Sequence, residues 1–73
     1  MPQSPVMQTS GMDLRLERVA ANVKLVHLAA AMGLHRATVA RYEGLAVVPD
    51  GIAWEYRRTL ATFRDVARTG RVA

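Results

Sequence analysis

From residue 13 onward apolar side chains recur at helical spacing, and before that point no period is present. Residues 1–12 (M-P-Q-S-P-V-M-Q-T-S-G-M) hold Pro2, Pro5 and Gly11 and no charged side chain, which predicts a flexible arm. Leu16, Val19, Ala20 and Val23 then fall at i, i+3, i+4 and i+7. They predict a first helix over residues 13–21, capped by Asp13 and closed by Asn22 in a left-handed conformation. A second helix starts at Lys24 or Leu25 and keeps Leu25, Leu28, Ala29 and Met32 on one side. It stops at Gly33, which supplies the positive φ of a tight turn. A third begins after His35, with Val39 and Tyr42 or Glu43 turned inward and Arg36, Ala37, Ala40 and Arg41 left outside. Residues 44–51 (G-L-A-V-V-P-D-G) read as a loop closed by Pro49, with Asp50 as the N-cap of a fourth helix over residues 52–69. Its stripe is Ile52, Tyr56, Leu60, Phe63 and Ala67. That helix is either continuous or broken near Thr59 to Thr62, and residues 70–73 form a frayed tail. The pattern is that of an all-α fold with one domain, residues 13–69, and no internal repeat.

Composition narrows the class. At 73 residues a single apolar core is only marginally stable without help, and dimerisation is one common form of help. With no cysteine, disulfide staples and thiolate metal sites are excluded. His27 and His35 fall in different predicted helices without carboxylates beside them, so no metal is expected. No Cys nucleophile, paired carboxylates or Gly-rich phosphate loop points to an enzyme, and no cofactor or small-molecule ligand is expected. Ten Lys and Arg against six Asp and Glu give a formal charge of +4, which favours an anionic partner such as nucleic acid. Lys24 is the only Lys. Arg suits bidentate contact with guanine and phosphate, although Arg-rich usage also follows from coding bias. No apolar stretch is long enough to span a bilayer, and no basic segment followed by a hydrophobic one opens the chain, so a soluble intracellular protein is expected.

The run Gly33 to Glu43, G-L-H-R-A-T-V-A-R-Y-E, resembles the lambda repressor and Cro family of helix-turn-helix domains, whose typical wording there is G-V-S-R-S-T-I-S-R-I-E. Leu28 and Ala29 resemble the family's Leu-Ala pair, and Pro49 falls at its proline after the third helix. The likeness covers residues 13–65, with its core in 28–49. It implies a compact four- to five-helix lambda-repressor-like domain with the helix-turn-helix at the second and third helices. It further implies homodimeric binding, at least on DNA, to a near-palindromic double-stranded operator and control of transcription, frequently in bacteriophage switches. A chain of this length is similar to the small Cro-type members in particular. The implied setting is the cytoplasm and nucleoid of a bacterial cell or phage-infected host.

Carried over by position, His35, Arg36, Ala37 and Arg41 match the places from which the family's reading helix reaches base edges. Arg36 and Arg41 suit guanine O6 and N7, and Ala37 suits a thymine methyl or close approach. Thr38 bonds either a phosphate or its own helix backbone. His35 either donates to DNA or only caps the helix. Arg18 and Glu43 match a family ion pair that ties the reading helix to the scaffold and can leave one guanidinium edge for phosphate. The family's phosphate-binding Gln at the start of the second helix is here Leu25. Lys24 beside it can substitute by charge, and the backbone amides at that helix start remain available to phosphate. Phosphate anchoring by the apolar loop after helix 3 is expected to be weak.

Two readings stay open for the apolar region around that loop. Val47, Val48, Ile52 and Trp54 either fold onto the core or form a dimer contact. The same patch suits a protein-interaction module on this scaffold, an antitoxin-like chain or a partner of the transcription machinery. Arg57, Arg58, Arg64 and Arg68 give the fourth helix a solvated basic face.

Overall fold

The computed structural model describes residues 8–69, with side chains as far as residue 66. Of the arm expected over residues 1–12, residues 1–7 lie outside the described residues, as does the tail over 70–73, whereas Ser10 caps the first helix and Gly11 and Met12 open it. Four helices, α1 (Gly11–Ala20), α2 (Leu25–Met32), α3 (Arg36–Glu43) and α4 (Asp50–Thr69), account for the regular structure, and no strand occurs among the described residues.

The first helix starts two residues earlier than its hydrophobic pattern predicts. Ser10 is the N-cap, and its Oγ accepts from the Asp13 amide at 3.0 Å while Asp13 Oδ2 accepts from the Ser10 amide at 3.3 Å. Asp13 is therefore the reciprocating third residue of a capping box instead of the cap itself. The inward face also differs from the expected one. Leu16 and Val19 are 56% and 55% exposed, whereas Gly11 and Leu14 are buried and Glu17, Arg18 and Ala21 half-buried. The true inward line contains a glycine and an arginine, neither of which registers as apolar. The helix closes on Asn22, whose φ of 61° is the left-handed conformation expected of it.

The second helix buries Leu28 and Ala29 and half-buries Leu25 and Met32. Gly33 follows at φ 73°, and the Leu34 amide reaches back to the Ala29 carbonyl at 2.9 Å, the Schellman way of satisfying the last carbonyls. Only two residues then separate Gly33 from the start of α3. The third helix packs on α1 and α2.

The fourth helix is one unbroken segment of 20 residues, where the resemblance implies further division into short helices. It begins at Asp50, so Asp50 sits in the first turn, where its charge complements the helix dipole, and is not the N-cap. Tyr56 and Leu60 are fully buried on its inner face, Ile52 and Phe63 pack partly against the same core, and α1 and α2 are the helices beneath it. The side chain of Ala67 lies outside the described residues. The core comprises Leu14, Leu28, Ala29, Val39, Val48, Ala53, Tyr56 and Leu60, drawn from all four helices and the α3–α4 loop. No helix among the described residues is long and apolar enough to cross a membrane.

Candidate nucleic-acid interface

Position along α3 decides which side chains are free. Val39 and Glu43 are four residues apart and therefore share a face, and both are buried. Arg36, Ala37, Ala40 and Arg41 are exposed on the remainder of the helix, with Thr38 and Tyr42 half-buried between the two faces.

The anchor of α3 is an ionic cluster. Arg18 donates from Nε to Glu43 Oε2 at 2.8 Å and from Nη2 to Glu43 Oε1 at 3.1 Å, a fork-to-fork pair, and from Nη1 to the Val23 carbonyl at 3.0 Å. Tyr56 approaches the same carboxylate from α4. The side chains of Arg18 and Glu43 are 12% and 6% exposed. The hydrogen bond to Glu43 pushes the Arg18 guanidinium above its ordinary value, and burial, followed by that same carboxylate, pushes the Tyr56 phenol up. Arg18 thus stands as a scaffold ion: three of its five N–H donors already have acceptors and its side chain is only 12% exposed, which leaves little of it for phosphate.

The remaining cations divide into two groups. Arg57 is paired with Glu17 at 2.7 Å and also donates to Thr9 Oγ1 at 3.2 Å, and Arg58 is paired with Glu55 at 2.9 Å. Both arginines are exposed, as expected of a solvated basic face on α4, and the two pairings lie at that surface. Arg36, Arg41 and Lys24, by contrast, have no ion-pair partner among the described residues, and neither do Arg15 on α1 and Arg64 on α4, so α3 and the start of α2 carry three of the five uncompensated cations there. His35 is the N-cap of α3, but its exposed imidazole makes no capping hydrogen bond. Thr38 Oγ1 has no hydrogen-bond partner among the described residues. Leu25 is half-buried, and its amide, at the head of α2, is among the donors that helix geometry leaves without intrahelical acceptors. No family model, curated protein or solved structure matches this chain.

The four residues proposed from sequence as a dimer contact separate. Val48 is a core residue, 1% exposed, with its amide bonded to the Thr9 carbonyl at 2.8 Å, and Ile52 packs partly against the same core. Val47 and Trp54 remain on the surface at 50% and 63% exposure, with the Arg58 guanidinium 5.2 Å from the Trp54 ring centroid. A groove of about 390 Å³ lies between α4 and the α2–α3 segment, lined by Met32, Leu34, Tyr42, Ile52, Glu55 and Arg58 among others. Among the described residues no group of three His, Cys, Asp or Glu side chains is placed to hold a metal ion.

Sequence reasoning missed two residues of this arrangement. Tyr56 was read as plain core, although a buried phenol needs a partner for its hydroxyl and so implies a polar neighbour. Gly11 was assigned to the arm, and no pattern in its surroundings distinguishes it.

Proposed function

We propose that the chain is a sequence-specific regulator binding double-stranded DNA, a Cro-like helix-turn-helix protein that lays α3 in the major groove of a near-palindromic operator. The observation that carries this reading is the one-sided attachment of α3. Its buried Val39 and Glu43 tie it to the scaffold while Arg36, Ala37, Ala40 and Arg41 face solvent together, the two arginines without ion-pair partners among the described residues. The tight left-handed turn at Gly33 between two helices of eight residues supports the helix-turn-helix assignment. A helix about 10 to 12 Å across fits a major groove about 12 Å wide. In this reading Arg36 and Arg41 contact base edges, with His35 and Ala37 beside them, and Lys24, Thr38 and the Leu25 amide hold phosphates.

The second copy is assigned to the Val47 and Trp54 face. Trp54 is exposed there with the Arg58 guanidinium over its ring, and Arg58 and Glu55 already neutralise each other, so the ring is the surface a second copy would cover. Two reading helices then lie about 34 Å apart along the DNA, one helical turn.

Selection of bound sequences from a random duplex pool tests the reading, repeated with Arg36→Ala and Arg41→Ala. Enrichment of a two-fold symmetric site that the variants lose supports it. A folded protein that enriches nothing at low salt overturns it. The exposure of Trp54 also favours a second reading, in which this face docks a different protein. A dimer of the purified chain, alone or on the selected duplex, speaks for the regulator, and a chain that stays monomeric in both for the docking module.

A further inference from the structure

We infer that Gly11 is a positioning residue for α3, because its bare backbone seats the first turn of α1 directly on the last turn of α3 and so sets how far α3 stands from the scaffold. The inference rests on the proposed role of α3 as the reading helix. Gly11 is buried, and a methyl group added to it would fall onto the carbonyl carbon and oxygen of Glu43 and the carbonyl oxygen of Tyr42. These are backbone atoms at a helix end, which cannot rotate aside as a side-chain tip would. Only a residue without Cβ permits this approach.

Hydrogen bonds hold the contact closed. The Gly11 amide donates to the Leu45 carbonyl at 2.8 Å, immediately after α3, and the Val48 amide donates to the Thr9 carbonyl at 2.8 Å. Arg57 on α4 donates to Thr9 Oγ1 at 3.2 Å. Seven residues further along α1, about 10 Å at helical rise, Arg18 grips the carboxylate of the same Glu43. One helix therefore holds one residue of another at two separated points, main chain at Gly11 and side chain at Arg18. Two points fix a tilt as well as a distance. Because α3 is attached through its inner and C-terminal positions, a displacement forced at Glu43 is carried along the rigid helix to Arg36 and Ala37. Other glycines lack this role: a methyl on Gly51 meets open space, and one on Gly44 makes ordinary contact.

The test compares affinity for the duplex selected by the wild-type chain with affinity for a random duplex of equal length. Gly11→Ala is made in the wild-type chain and in Gly51→Ala, a helix-stabilising background that also serves as the control. Gly11→Ala is expected to lose about tenfold on the selected site, the scale of one bidentate base contact, while random-sequence affinity holds within about twofold. Gly51→Ala alone leaves both unchanged. Equal losses on the two duplexes, as partial unfolding produces, overturn the inference. So does failure of Gly11→Ala to fold even in the Gly51→Ala background, which makes Gly11 a packing requirement of the whole fold. If the wild-type chain itself shows no sequence preference, the DNA reading fails separately. The positioning claim is then decided by amide nitrogen–proton spectra: shifts concentrated over Arg36 to Glu43 uphold it, and unshifted α3 signals overturn it.

Discussion

The Tyr56 hydroxyl lies 2.5 Å from Glu43 Oε2, on the opposite flank of a carboxylate whose other side is filled by the Arg18 fork. The Leu14 carbonyl lies 3.0 Å from the same hydroxyl, so two acceptors face one phenolic hydrogen. The charged, nearer oxygen takes it, because charge-assisted O–H···O⁻ bonds are both shorter and stronger than neutral ones. Three helices, α1, α3 and α4, thus meet at a single buried anion.

Removing members of this cluster should give unequal costs. Tyr56→Phe is expected to destabilise by about 1.5 to 3 kcal/mol, the value of a hydrogen bond to a charged group. Glu43→Ala strands the Arg18 guanidinium and leaves the phenol only the Leu14 carbonyl, and is expected to cost about 3 to 5 kcal/mol. In the double variant the Tyr56→Phe increment should shrink to that of a neutral hydrogen bond, about 0.5 to 1.5 kcal/mol, since only the Leu14 carbonyl is left to accept. Urea midpoints for the four proteins measure the cycle, and strict additivity would refute the shared cluster.

Alkaline pH should act through Tyr56. Its phenol is held above the ordinary value near 10 by burial and by the Glu43 carboxylate. Above that pH the unfolded chain releases the proton while the folded chain keeps it, so the unfolded state binds fewer protons and stability falls as pH rises. Below about pH 10 the contribution is fully present. Denaturant midpoints between pH 9 and 11 should therefore decline more steeply for the wild-type chain than for Tyr56→Phe, and identical slopes would count against the shift.

Base readers and phosphate binders should separate by sequence dependence. Arg41→Ala or Arg36→Ala should cost about 1 to 3 kcal/mol on the selected duplex and relax its consensus. Lys24→Ala should weaken every duplex alike and reduce the salt dependence by about one counterion. Titrations at several salt concentrations distinguish the two patterns. Equal losses on selected and random duplex for Arg41→Ala would remove it from the base-reading set.

Trp54→Ala should weaken self-association by about 2 kcal/mol or more if the ring is the centre of the dimer contact. Because the side chain is 63% exposed, the stability of the isolated chain should barely move. Sedimentation equilibrium reads the first effect and thermal unfolding at low concentration the second. An unchanged dimer would assign the contact elsewhere.

Legibility from sequence followed the physics of each element. The interruption after α2 and the turn at Asn22 were visible because φ values of 73° and 61° demand residue types that tolerate the left-handed region. The inner face of α4 was visible because large apolar side chains carry it. The face of α1 was not, since its inward positions hold Gly11 and Arg18, and hydropathy assigns such residues outward. Pairing Arg18 with a Glu 25 positions away came through family resemblance alone, as no local rule links them. The separate fates of Val47 and Val48 could not be read either. Neighbouring apolar residues in a loop look alike until the Thr9 carbonyl fixes which amide turns inward.

Because α3 is tied down through Val39 and Glu43, whereas Arg36, Ala37, Ala40 and Arg41 face solvent, the helix has an outer alphabet that can be rewritten without dismantling what supports it. Randomising those four codons should yield a library in which most members still fold, whatever they recognise. Mutational drift there is cheap for the chain, so under the proposed DNA-reading role recognition can diverge faster than architecture.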